Sequence, residues 1–224
     1  MILSLDTSGP LFSIAILNNK CLEMREFEAN KDQSERMIIE IQALLKTLSL
    51  SFKDIKGIAF GSGPGSFSGV RVACGIAYGI AFAKEIPING VNTLEALSAI
   101  NPNKNSISCI DARMQQMYLG AFESKNSKIT KTGEMGVFDP KSLPEYQLTN
   151  PIIIGSGVKI YINQLKERYG HLNPFYDKKN YALAGVIAKL SQNRFLKDFD
   201  LVNASPSYIR NKVADTIIER RERQ

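Results

Sequence analysis

Apolar residues along the chain alternate in short runs and then recur at wider, helical spacing. Three strand-like runs come first, at 2–6, 11–17 and 22–28, separated by the turn sequences Thr7-Ser8-Gly9-Pro10 and Asn18-Asn19-Lys20. Connections this short predict an antiparallel meander. Met37, Ile38, Ile41, Leu44, Leu45 and Leu48 then recur with the period of a helix, which predicts one over 34–50. A strand at 57–60, a glycine-rich loop, a helix at 67–85, a strand at 88–91 and a short helix capped by Thr93 follow.

The same order then recurs. Strands are expected at 107–111, 116–123 and 128–132, a weaker helical segment at 140–146 and a strand at 152–154. A helix at 158–169, a short strand at 172–175 and a helix at 181–192 complete the second pass. The repeat predicts an α/β protein of two lobes, 1–103 and 104–224, each a mixed sheet with helices. The polar, turn-rich stretch 101–105 joins them. Asp6 and Asp111 occupy matching places: each ends the first strand of its half and precedes a turn. Gly155-Ser156-Gly157 ends a later strand of the second half.

The most informative stretch is 57–79, where a strand enters a loop holding Gly61, Gly63, Pro64, Gly65 and Gly69. A helix crowded with Ala73, Gly75, Ala77, Gly79 and Ala81 follows. Glycine inside a helix costs about 1 kcal/mol against alanine. Two explanations stand open: another helix backbone presses close, or an anion sits at the helix start. The phosphate reading lacks the Lys-Ser or Lys-Thr of a P-loop, and Ser66 stands where G-x-G-x-x-G needs its last glycine. No nucleophile elbow is present either.

Composition narrows the chemistry. The 224 residues are 44% hydrophobic, enough for a sizeable core. No apolar stretch is long enough to span a bilayer, and the start, MILSLDTSG, lacks the basic region of a secretory signal, so a cytoplasmic protein without membrane contact is expected. Cys21, Cys74 and Cys109 are widely spaced and odd in number, as thiols in a reducing compartment are. The single histidine, His171, excludes a metal site built on paired histidines and a catalytic triad, and no metal ligand set is expected. A net charge of +6 permits nucleic-acid contact. The basic residues near the end (Arg210, Lys212, Arg220, Arg221, Arg223) are interleaved with Asp215, Glu219 and Glu222, more like a solvated helix than a dedicated RNA groove.

The duplicated plan with its two acidic turns resembles the actin-like ATPase fold (ASKHA, RNase H-like) of sugar kinases and heat-shock ATPases. That resemblance implies a nucleotide site between the lobes formed by Asp6, Thr7, Asp111, Arg113, Gly155 and Gly157. Within that fold, several segments resemble the bacterial TsaB (YeaZ) family of tRNA threonylcarbamoyladenosine biosynthesis proteins. These are 2–8, 61–71, 75–79 and 91–97, then Asp111-Ala112-Arg113 with Tyr118, and Pro206-Ser207-Tyr208-Ile209-Arg210. Gln33-Ser34-Glu35 departs from the family's His-Ser-Glu, and Gln115-Gln116-Met117-Tyr118 from its Gly-Glu-Val-Tyr.

The resemblance implies a non-catalytic subunit that pairs with the catalytic paralogue TsaD. TsaD transfers a threonylcarbamoyl group to the tRNA adenosine beside the anticodon. A TsaE-type ATPase joins the assembly, tRNA is reached through the complex, and a homodimer forms in isolation. No cofactor is required, with weak ATP or ADP plus magnesium at the interlobe cleft or partner interface. The helix pair 34–50 and 67–85 would supply the contact. From the first come Met37, Ile41, Leu44, Leu45 and Leu48; from the second come Phe67, Val70, Arg71, Cys74, Gly75, Ala77 and Tyr78. The competing readings are a kinase-type or ATPase enzyme of the same fold, and a tRNA-binding module.

Overall fold

The computed structural model describes residues 1–19, 21–29, 32–126, 128–192, 194 and 205–207. The first meander forms as expected: β1 (Ile2–Asp6), β2 (Leu11–Asn18) and β3 (Cys21–Glu28) pair antiparallel. After α1 (Gln33–Thr47), β4 (Gly57–Gly63) pairs parallel to β1. After α2 (Phe67–Lys84), β5 (Ile88–Asn92) pairs parallel to β4. The sheet order is β3-β2-β1-β4-β5.

The second sheet repeats the plan. The short helix α3 (Thr93–Ser98) leads to β6 (Ser106–Asp111), which pairs antiparallel to β7 (Met117–Lys125), itself antiparallel to β8 (Lys128–Phe138). Then β9 (Ile152–Ile154) runs parallel to β6 and β10 (Phe175–Asp177) parallel to β9, giving β10-β9-β6-β7-β8. Helices α4 (Gly157–Ile160) and α5 (Ile162–Tyr169) lie between these last two strands, and α6 (Ala184–Ser191) follows.

Alternation along the strands sorts the apolar residues onto two faces of each sheet. Ile58 and Phe60 of β4 point to an outer core with Met37, Ile41, Leu44 and Leu45 of α1 and Ala73, Ala77 and Ala81 of α2. Ala59, between them, points inward to a middle core shared with Leu94, Leu97, Ile110, Phe122, Ile154 and Ile187. Cys109 and Ile153 face a third core closed by Val158, Leu165 and Tyr169. Both faces being covered, β4 is buried throughout, as a strand with parallel neighbours on both sides requires.

The middle core is built by an exchange. Helix α6, from the second half of the sequence, packs on β1, β2 and β4 of the first sheet, and α3 lies between the sheets, against β4 and β5 of the first and β6 and β7 of the second. A buried serine fixes each. Ser4 Oγ donates to the Ala184 carbonyl at 2.6 Å, and Ser108 Oγ to the Leu94 carbonyl at 2.7 Å. Ser13 Oγ also accepts from the Ala184 N–H at 3.1 Å. Arg194 and Glu95 join the two helices by a two-pronged ion pair at 2.7 and 3.0 Å. The expected division after residue 103 places α6 in the second lobe, but its packing is with the first sheet.

Other boundaries also change. No helix forms at 140–146: Pro144 has no N–H to give a helix, and its carbonyl accepts from Arg168 Nε and Tyr169 OH. The apolar residues there, Leu143 and Tyr146, plug the outer core of the second sheet instead. The helix expected over 158–169 breaks at Tyr161, whose hydroxyl is used elsewhere. The strand expected at 172–175 becomes a 3-10 turn over Gly170–Leu172 before β10. The helix expected over 181–192 spans 184–191, and the strand expected at 128–132 extends to 138. Tyr208, Ile209 and Arg210 lie outside the described residues. No helix among the described residues is long and apolar enough to cross a membrane.

Removing the Ser13 hydroxyl leaves the Ala184 N–H buried without its acceptor. Ser13→Ala is expected to lower the free energy of unfolding by about 1–2 kcal/mol, measured by urea denaturation.

Candidate functional site

The glycines of the 61–69 loop have a packing cause. A Cβ at Gly61 would collide with Asp6 Oδ1, one at Gly65 with the Ser8 carbonyl, and one at Gly69 with the Thr7 carbonyl. The loop and the first turn of α2 therefore press directly on the β1–β2 turn. Ser66 N donates to the Ser8 carbonyl at 2.8 Å, and Thr7 Oγ1 donates to the Gly69 carbonyl. Ser66 caps α2, its hydroxyl accepting from Gly69 N at 3.3 Å.

The glycines inside α2 behave differently. A Cβ at Gly75 or Gly79 would meet nothing within 4 Å. Nothing among the described residues requires their small size, and both are exposed.

Their surroundings form an outward apolar face. Along α2, Phe67, Tyr78 and Phe82 stand out at 56%, 42% and 62% exposure, and Tyr78 and Phe82 stack with centroids 6.3 Å apart. On α1, which covers the same face of the first sheet, Ile38 and Ile39 are exposed. Of the twelve interface residues expected from the sequence, Phe67, Arg71, Gly75 and Tyr78 lie outside. Met37, Ile41, Leu44, Leu45, Cys74 and Ala77 are buried in the outer core, Leu48 packs half-buried against it, and Val70 is buried. These eight present little surface, whereas Ile38, Ile39 and Phe82, which the expected set leaves out, are exposed, as is Gly79, already singled out with Gly75. The signal was present in α1, whose apolar stripe is wider than one sheet face needs, and in the i, i+4, i+8 series Phe67, Arg71, Gly75.

A cleft of about 950 Å³ opens between the lobes. One wall is the Ser8-Gly9-Pro10 turn with the Gly63–Ser68 loop; the other is the 111–114 turn with Ser156, Lys159 and Ile160. Pro206 and Ser207 close one end, with Ser207 N donating to the Ser62 carbonyl at 2.7 Å.

The two acidic turns are built alike and placed differently. Asp6 Oδ1 accepts from Ser8 N at 3.2 Å, and Asp111 Oδ1 from Arg113 N at 3.0 Å. Asp111 lines the cleft, also accepts from Tyr161 OH at 3.0 Å, and lies 3.6 Å from the Arg113 guanidinium. Burial, and then the bond to Asp111, push the Tyr161 hydroxyl up to about 12, so it remains a donor. Arg113, Met114 and Gln115 are three successive residues in the left-handed region, with φ of 61°, 53° and 56°. Each costs about 1 kcal/mol or more outside glycine.

Asp6 is fully buried and absent from the cleft wall, as is Thr7. Its Oδ2 has no hydrogen-bond partner among the described residues, and burial pushes its carboxyl up to about 6 against the opposing bond from Ser8. Gly155 and Gly157 pack on Cys109, where a Cβ would strike its carbonyl and its Sγ respectively. Of the six expected nucleotide residues, only Asp111 and Arg113 meet the cleft. No cluster among the described residues could hold a metal ion.

Comparison with known proteins follows the same lines. The family model for TsaD, tRNA N6-adenosine threonylcarbamoyltransferase, matches residues 27–147, more than half of the chain. The tRNA threonylcarbamoyladenosine biosynthesis protein TsaB of Escherichia coli is 33% identical over 132 residues, 57% of this chain and 57% of that protein. TsaB of Bacillus subtilis is 32% identical over 129 residues, 56% of each. The chain thus matches a little over half the length of these curated relatives. YeaZ from Pseudomonas aeruginosa shares the fold, with a TM-score of 0.78 over 92% of this chain and 98% of that one at 23% identity.

The buried carboxylate sets a pH dependence. An Asp whose folded value is raised to about 6 from 3.8 is destabilising when ionised. Stability from this group is therefore greatest below pH 3.8, falls as pH rises to about 6, and is flat above. Asp6→Asn is expected to raise the unfolding free energy at pH 7 by on the order of 2 kcal/mol. The gain should vanish near pH 3.5, as followed by thermal melts across that range.

Proposed function

The chain belongs to the TsaD-type family, with the TsaB (YeaZ) proteins, and from that premise we propose that it is a non-catalytic subunit for threonylcarbamoyl transfer to tRNA. Its task is to dock a TsaD-type catalytic paralogue through the outer face of α1 and α2. The observation that carries this reading is the open space above Gly75 and Gly79. A helix tolerates two glycines one turn apart, at about 1 kcal/mol each, where a second backbone is to approach. Ile38, Ile39, Phe67, Tyr78 and Phe82 supply apolar area around that seam. A lone histidine, with no metal cluster among the described residues, agrees with chemistry residing on the partner. A TsaE-type ATPase joins the same assembly, and in isolation the face pairs with a second copy.

Gly75→Leu and Gly79→Leu separate docking from folding. With room for the new side chains, each variant should melt at or above the parent temperature, gaining up to about 1 kcal/mol of helix propensity. Each should nevertheless fail to co-elute with the paralogue in size-exclusion chromatography. Reconstituted tRNA threonylcarbamoylation should fall to the level of the paralogue alone. A well-folded variant that still forms the complex rejects this face.

A further inference from the structure

The interlobe cleft holds cations, Arg113 and Lys159, that docking through α1 and α2 leaves unused. Among the described residues, these two and Arg71 of α2 line it against one acid, Asp111. That acid already accepts from Tyr161 OH and Arg113 N. Its ion pair with the Arg113 guanidinium is long, at 3.6 Å, and Arg113 is 88% exposed, so the pair is weak and the cation faces solvent. The left-handed turn 113–115 is strained backbone maintained at the cleft wall. Lys159 is exposed on the same wall. Phe67 and Ile160, both more than half exposed, add an aromatic and an apolar surface, the Arg71 guanidinium lying over one face of the Phe67 ring, 3.3 Å from its centroid.

Cations beside an exposed aromatic match a chain of phosphates bearing stackable bases, and an acidic peptide would leave the aromatic unused. Stacking on an aromatic needs an unpaired base, so the match is to a single strand. We propose that the cleft binds single-stranded RNA directly, with phosphates on Arg113 and Lys159 and a base against Phe67. The inference rests on the tRNA-modification reading but assigns this chain its own RNA contact, centred on Arg113 and Lys159, with Phe67 at the start of α2 bordering both it and the docking face.

The test is fluorescence anisotropy of the full chain with a labelled tRNA anticodon stem-loop, titrated across potassium chloride. The parent should bind with salt-dependent affinity. Arg113→Ala combined with Lys159→Ala should weaken binding about tenfold or more and reduce the log–log salt slope by about 1.4, two single-strand phosphates' worth. Lys159→Glu alone, on the surface of α4, should weaken it without lowering the melting temperature. The double variant should still co-elute with the paralogue, which keeps failure of the cleft distinct from failure of the docking face. Unchanged affinity and slope, or no RNA binding by the parent, overturns the proposal. So does displacement of the RNA by equimolar ATP or by polyglutamate, which would assign the cleft to a mononucleotide or an acidic peptide.

Discussion

A parallel strand needs cover on both faces, and in this chain part of the inner cover is exchanged between lobes. Helix α6 leaves the second sheet and packs on the first, while α3 lies between the sheets, against β4 and β5 of the first and β6 and β7 of the second. Each is held by a buried serine hydroxyl on a backbone carbonyl near its start, Ser4 to Ala184 and Ser108 to Leu94. Neither sheet can complete its core without the other half of the chain. That dependence explains why Ala59, Val91, Ile110, Ile154 and Ile187, spread over most of the sequence, form one cluster.

The exchange also decides what the outer helices are free to do. With the inner faces closed by α3 and α6, α1 and α2 need only cover the outer face of the first sheet. Met37, Ile41, Leu44, Ala73 and Ala77 suffice for that. Apolar residues left over, such as Ile38 and Phe82, are exposed and join no core among the described residues. Meanwhile the loop preceding α2 is pinned through Gly61, Gly65 and Gly69 to the β1–β2 turn. The glycines of one continuous stretch thus serve two physical ends: close packing inward and open space outward.

Much of this was legible in the sequence, because the meander, the duplicated order and the acidic turns depend on local periodicity and turn chemistry. The direction of a helix face was less so. On α1 the apolar residues occupy adjacent positions, Met37-Ile38-Ile39, and periodicity alone does not say which of them meets the sheet. Asp6 and Asp111 look equivalent as sequence. Only the approach of Gly61 to Asp6, a contact between distant residues, reveals that one is sealed and the other open. Pro144 stopped a helix at 140–146 that apolar spacing alone suggested. Ser4 and Ser108 carried no signal, since a serine in a strand is legible only once its acceptor arrives from elsewhere.

The ion pair between Arg194, just past α6, and Glu95 of α3 ties together the two elements that lie between the sheets. Two-lobed proteins that close on a ligand do so about a plane of weak contact, along which one body turns on the other. Here that plane is filled by a common apolar layer and bridged at its edge. A hinge of that kind would have to part the common layer and break the bridge before the groove could change width.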